Sequence, residues 1–200
     1  PASDNVNYRL AVEKYQSDGF IENTFLNRDD TNGRDELSVR GKLAIEATDD
    51  LTVDLTFMHF NFNNGYDAFS LDNTRETLSD EPGFDTQETD ALAATFTYQG
   101  FDQAEMVFIT SYAKSDIGYG FDEDWYYGEY EWNWGTCVAG ATCLPGAIEG
   151  YSTTDHYFRD KNNLTAELRF TSKDGAKLFN NSTSWVVGAY LSDQDEDLYR

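Results

Sequence analysis

Two hundred residues suffice for one large β domain or for a slice of a larger one, and a formal charge of −23 is extreme for either. That charge argues against binding nucleic acid, whose phosphates it repels, and against a simple electrostatic dock on an anionic bilayer surface. Aromatics reach 16% of the residues, and no apolar run approaches the roughly eighteen residues of a membrane-spanning helix; a membrane barrel stays open, because only alternate residues of its strands need be apolar.

Taken in chain order, the first expected strand is Val6–Tyr15, with Val6, Tyr8, Leu10 and Val12 on one face and Asn7, Arg9 and Glu13 on the other. A polar loop follows, with Asp18-Gly19 and Asn32-Gly33 as turn signals. The second strand, Asp35–Ala47, alternates Leu37, Val39, Gly41, Leu43 and Ile45 with Ser38, Arg40, Lys42, Ala44 and Glu46. Thr48-Asp49-Asp50 makes a tight connection to the third, Leu51–Phe62. There the apolar parity changes: Leu51, Val53, Leu55 and Phe57 share one face, while Met58, Phe60 and Phe62 fall on the other, by a bulge or an aromatic rim.

A second long loop, 63–88, leads to the fourth strand, Thr89–Gln99, with Leu92, Ala94, Phe96 and Tyr98 on its apolar side. A short connection precedes the fifth, Ala104–Asp116. The longest loop spans 117–157. The sixth strand, Phe158–Thr171, sets Leu164, Ala166, Leu168 and Phe170 against Asn163, Thr165, Glu167 and Arg169. A modest turn region opening at Lys173-Asp174-Gly175 leads to the seventh, Thr183–Asp197, with Trp185, Val187, Ala189 and Leu191 outward.

Two architectures give strands with one apolar and one wet face: a sandwich with a core on one side, and an outer-membrane barrel with lipid outside and water inside. The connections alternate long and short, as outer-membrane barrels sort extracellular loops from periplasmic turns. The strands span roughly ten to fourteen residues, against five or six in soluble sheets. The expected fold is therefore all-β: an antiparallel up-and-down transmembrane β-barrel segment of about seven long strands with long extracellular loops. Residues 1–200 form part of one β-barrel domain. The wet side collects Arg9, Glu13, Arg40, Lys42, Glu46, Glu167 and Arg169, whose opposite charges can pair across a water-filled lumen. The alternative is a secreted soluble β-sandwich that binds carbohydrate through an aromatic loop.

The stretches Arg9-Leu10-Ala11, Ser17-Asp18-Gly19-Phe20-Ile21-Glu22-Asn23 and Arg34-Asp35-Glu36-Leu37-Ser38-Val39-Arg40-Gly41-Lys42-Leu43 resemble the barrel of TonB-dependent outer-membrane receptors. The short turn and L-x-V-x-L strand at Leu51–Leu55 continue the likeness. It is strongest over residues 6–62 and persists as hairpin rhythm beyond. The resemblance implies a barrel of about twenty-two strands in the outer membrane of a Gram-negative bacterium, plugged by an N-terminal globular domain. It implies active uptake of a scarce nutrient, most often a siderophore-iron complex, energised by TonB through the plug. On that reading the chain is an internal barrel piece, with plug, remaining strands and leader encoded outside it, and its partners are TonB, outer-membrane lipid and lipopolysaccharide, and a small nutrient ligand. A passive porin is a further alternative.

Candidate site residues follow. Trp125, Tyr126, Tyr127, Tyr130, Trp132 and Trp134 supply flat contact area for sugars or for planar parts of a siderophore, or pack together to hold a large loop. Their acidic neighbours Asp122, Glu123, Asp124, Glu129 and Glu131 repel an anionic cargo unless a cation intervenes. Arg9, Arg40 and Arg169 face the expected lumen, either in wall salt bridges or meeting ligand or plug. Asp193, Asp195 and Asp197, at alternate positions, form an acidic rim above the bilayer that can hold divalent cations; Leu198 in place of a turn glycine rejects an EF-hand. Cys137 and Cys143 lack the partners of a zinc site and read as a small-loop disulfide, worth about 2 kcal/mol in the chain-entropy model, or else as two free thiols. His59 and His156 are isolated, and no Ser/His/Asp or paired-carboxylate grouping stands out. The expectation is transport without chemistry, and no cofactor.

Overall fold

The computed structural model describes residues 4–70, 72–127 and 153–200. Its elements are β1 (Val6–Ser17), β2 (Glu22–Asn23), β3 (Arg34–Thr48), β4 (Leu51–Gly65), β5 (Glu76–Thr77), β6 (Phe84–Tyr98), β7 (Ala104–Asp122), β8 (Thr154–Ser172), the single turn α1 (Leu178–Asn181) and β9 (Val186–Tyr199). Seven strands make one sheet in the order β1-β3-β4-β6-β7-β8-β9, every neighbour antiparallel. This is an up-and-down meander. The two-residue strands β2 and β5 pair in parallel outside it. The sheet is open, with β1 and β9 as its edges, so barrel closure lies beyond what these strands do among themselves.

The all-β class and the seven main strands match the sequence reading; several bounds move. β6 begins at Phe84 rather than Thr89, β7 runs on to Asp122 rather than Asp116, and β8 begins at Thr154 rather than Phe158. β9 starts at Val186, not Thr183, because residues 178–183 close a local turn, with Leu178 N–H donating to the Thr183 carbonyl at 2.9 Å. The long connections thus shorten to 18–33, 66–83 and 123–153, against 49–50, 99–103 and 173–185 at the opposite end. The parity change in β4 is not a bulge: its register with β6 runs unbroken from Leu51 to Gly65. Phe60 and Phe62, 5.8 Å apart, lie on the same face as Ser38 and Glu36.

Register assigns every strand residue a face, since partners in an antiparallel ladder point the same way. One face carries the rows Val6–Ile45–Val53–Phe96–Phe108–Leu168–Ala189 and Tyr8–Leu43–Leu55–Ala94–Thr110–Ala166–Leu191. The other carries Arg9–Lys42–Thr56–Ala93–Ser111–Thr165–Ser192, a row of small and polar side chains bound by contacts such as Ser111 Oγ to Thr165 Oγ1 at 2.6 Å. Nothing among the described residues covers the apolar face. Among the described residues the buried hydrophobic side chains are Ile21 in the first loop, Val107 on the polar face and only Ala104 on the apolar one, while Tyr8 and Leu10 there stand 69% and 67% exposed. A sandwich needs a second sheet over this face, and the described residues contain none.

Candidate functional site

The first two long connections and the described start of the third, residues 123–127, meet at one end of the sheet and build a platform. The first and second are joined through β2 and β5, and Gly65 N–H donates to the Gly33 carbonyl at 2.9 Å. At their centre is Asn23, fully buried. Its amide nitrogen donates to Asp67 Oδ2 and to the Ser79 carbonyl, each at 2.8 Å, and its Oδ1 accepts from Leu26 N–H at 2.8 Å. Thr77 Oγ1 donates to Asp67 Oδ1 at 3.2 Å, which completes the buried carboxylate. Such a cluster replaces an apolar core with a satisfied polar one. Gly19 sits at φ +93, and a Cβ there would lie 2.4 Å from the Asn32 carbonyl oxygen, so the first loop folds back only on a glycine.

The described start of the third connection packs onto the other two by its rings. Trp125 stacks on Phe69 at 4.9 Å and an interplanar angle of 3°; Tyr127 stacks on Phe25 at 4.7 Å and 4°. Tyr126 stacks on Tyr127, their hydroxyls 3.1 Å apart. Asp80 N–H reaches the Tyr126 carbonyl at 3.4 Å. Trp125, Tyr126 and Tyr127 therefore brace loop against loop, with Trp125 still 38% exposed at the surface. Tyr130, Trp132 and Trp134 lie outside the described residues, as do Cys137 and Cys143.

Acidic groups around the platform are held in contrasting ways. Asp122 ends β7 in a buried position: its Oδ1 accepts from the Asp124 and Trp125 amides, each at 3.1 Å, while its Oδ2 has no hydrogen-bond partner. Burial, with the Asp124 carboxylate beside it, pushes its carboxyl up to about 7; the adjacent Ser79 hydroxyl offsets part of this, though it stands outside hydrogen-bond geometry. Each such orphaned atom costs about 1–3 kcal/mol. Asp155 is the opposite case. Arg200 grips it with Nε and Nη2 at 2.9 and 2.6 Å, and Tyr157 donates to it at 2.7 Å, which holds its carboxyl below the usual range.

The remaining candidate residues are spread over the sheet. Arg9, Arg40 and Arg169 share the polar face, as register requires. Arg169 pairs with Glu167 on its own strand at 3.3 Å. Arg9 and Arg40 are adjacent across β1 and β3 with Lys42, and no described acid lies within ion-pair distance of any of the three. Asp193, Asp195 and Asp197 share the opposite face. Alternate strand positions lie about 7 Å apart, too far for one ion, and no trio of His, Cys, Asp or Glu among the described residues converges as a metal cage.

Sequence reasoning missed a second acidic row. Register aligns Asp197 with Asp160, Asp116 and Glu88, four carboxylates on four successive strands of one face. Asp116 beside it pushes the Asp160 carboxyl up. Single-strand patterns hide such a row, because it exists only once the register is known. Reasoning also missed Asn23, Asp67 and Ser79, whose polar loops look like any other polar loops before they fold together. Comparison of the chain with protein-family models, with curated proteins and with solved structures found no match.

Proposed function

We propose that this chain is part of the wall of an outer-membrane transport barrel of the TonB-dependent receptor kind, taking up a scarce nutrient such as a siderophore-iron complex. One observation carries the reading. The exposed apolar face is a belt of about four alternate positions on most strands, five on β3, that crosses the sheet obliquely. On β1 it holds Val6, Tyr8, Leu10 and Val12; across the register, Val6 aligns with Ala189 and Val12 with Asp195. On β9 and the residue before it, outward apolar residues run instead from Trp185 to Leu191, four residues lower at both margins. Over six strand spacings of about 4.8 Å, a drop of about 13 Å gives a slope of roughly 25°. A planar hydrocarbon layer crossing tilted strands produces such a band; a soluble core has no reason to keep its margins parallel.

The belt's composition supports the same reading. Tyr98, Phe101, Phe170 and Trp185 gather near the short connections, with Tyr98 and Phe101 rings 4.9 Å apart, where an interfacial aromatic girdle belongs. Above Leu92 and Tyr112 the same face turns to Asp90, Lys114, Glu88 and Asp116. The long connections, braced into a platform, lie on that polar side, where a receptor meets its cargo.

Detergent dependence tests the membrane assignment: the chain in its full-length context partitions with outer membranes and needs micelles to remain monodisperse. A monodisperse protein in plain buffer overturns it. Transport is tested by uptake in cells with and without TonB. Loss of uptake without TonB is the expected result, and solute leak independent of TonB assigns a passive pore instead.

A further inference from the structure

The junction of the second and third long connections contains oxygen atoms with nothing to satisfy them. Asp122 Oδ2 and Ser79 Oγ are both buried and unpartnered, on residues only 5% and 1% exposed, and they come from different parts of the chain. Asp124 brings a second carboxylate beside Asp122. Its Oδ1 and Oδ2 are fixed by the amides of Tyr126 and Thr153 at 3.0 and 3.1 Å, so it cannot swing away. Glu123 N–H donates to the Thr153 carbonyl at 2.9 Å, which ties the start of β8 to the same point. The strongest influences on Asp122 are burial, Ser79, Asp124 and the Trp125 amide, and no Lys or Arg is among them.

We propose that Asp122, Asp124 and Ser79 form a calcium-type cation site that latches the ends of β7 and β8 to the segment after β5. Only oxygen ligands are offered, the set a hard divalent ion takes, with carbonyls or water filling its shell. A cation engages all three side chains together. Two carboxylates rather than three make the site, in keeping with the lack of any acidic trio among the described residues. The net charge of −23 favours cation capture at this end of the molecule. This inference does not depend on which face meets lipid.

Terbium titration of the full chain, stripped with chelator, tests it: Trp125 adjoins both carboxylates and sensitises the bound ion. The expected result is a saturable signal displaced by calcium, weakened at least tenfold in Asp122→Asn and several-fold in Ser79→Ala. Asp160→Asn, on the outward acidic row, leaves it unchanged. A signal that calcium does not displace, or that Asp122→Asn retains, overturns the proposal, as does equal weakening by Asp160→Asn, which marks diffuse binding. Should Asp122→Asn fail to keep its strand content, Ser79→Ala decides: unchanged affinity overturns the site.

Discussion

At the scale of single residues, the platform depends on side chains that replace a hydrophobic core. Asn23→Ala removes three hydrogen bonds at once and strips Asp67 of a donor in a buried setting. A loss of roughly 2–4 kcal/mol follows from leaving charged and neutral groups unsatisfied, read as a lower denaturant midpoint and as protease cleavage within residues 18–33. Asp155 gives a pH signature of definite sign. Arg200 and Tyr157 hold its folded carboxyl below the unfolded value, so its contribution is present above about pH 4 and is lost as pH falls through the folded value. Thermal melts between pH 7 and pH 2 should show this acid limb, and Asp155→Asn should flatten it while lowering stability at pH 7.

At the scale of elements, what was legible in the sequence was whatever alternates. Leu37 to Ile45 and Leu164 to Phe170 announce their faces, and register places both sets on the same side. The strand ends beyond the belt were not legible, because alternation fails there. Phe84–Glu88 and Ile117–Asp122 have polar or aromatic residues on both faces, yet Phe84↔Gly120 and Glu88↔Asp116 pair as regularly as the rest. Backbone hydrogen bonding continues where the solvent contrast that writes the pattern has ended. Gly118 and Gly120 mark the cost of packing rings there: a Cβ on Gly120 would lie 2.5 Å from the His156 ring and 2.7 Å from that of Phe84. The acidic row is an element-scale liability that invites repair. Asp160→Asn removes one of four aligned charges and should raise the denaturant midpoint slightly, an increase that shrinks with added salt; a decrease at low salt would mean that the row is held by something other than repulsion.

At the scale of the whole molecule, the question is what covers the apolar face, and two adjacent alanines separate the answers. Ala93 and Ala94 are neighbours in the middle of β6. Ala93 lies between Thr56 and Ser111 on the polar face, and Ala94 between Leu55 and Thr110 within the belt. No directly opposite partner of either alanine is charged; Lys42 and Arg9 stand on the Ala93 row only two and three strands away. If lipid covers the belt, Ala94→Arg costs roughly 2–4 kcal/mol in a bilayer, the penalty for a basic residue near the midplane of a barrel's outer face, while Ala93→Arg, facing a watery interior, costs little. If both faces are solvated, both substitutions fall within about 0.5 kcal/mol of neutral. Unfolding from lipid vesicles in urea measures the difference directly. The same pair placed higher on the strand, at Gln87 and Glu88 beyond the belt, should reverse the asymmetry, since Glu88→Arg thins the acidic row and sets an arginine beside Asp116; a penalty at Ala94 that gives way to a gain at Glu88 locates the hydrocarbon boundary within one hairpin.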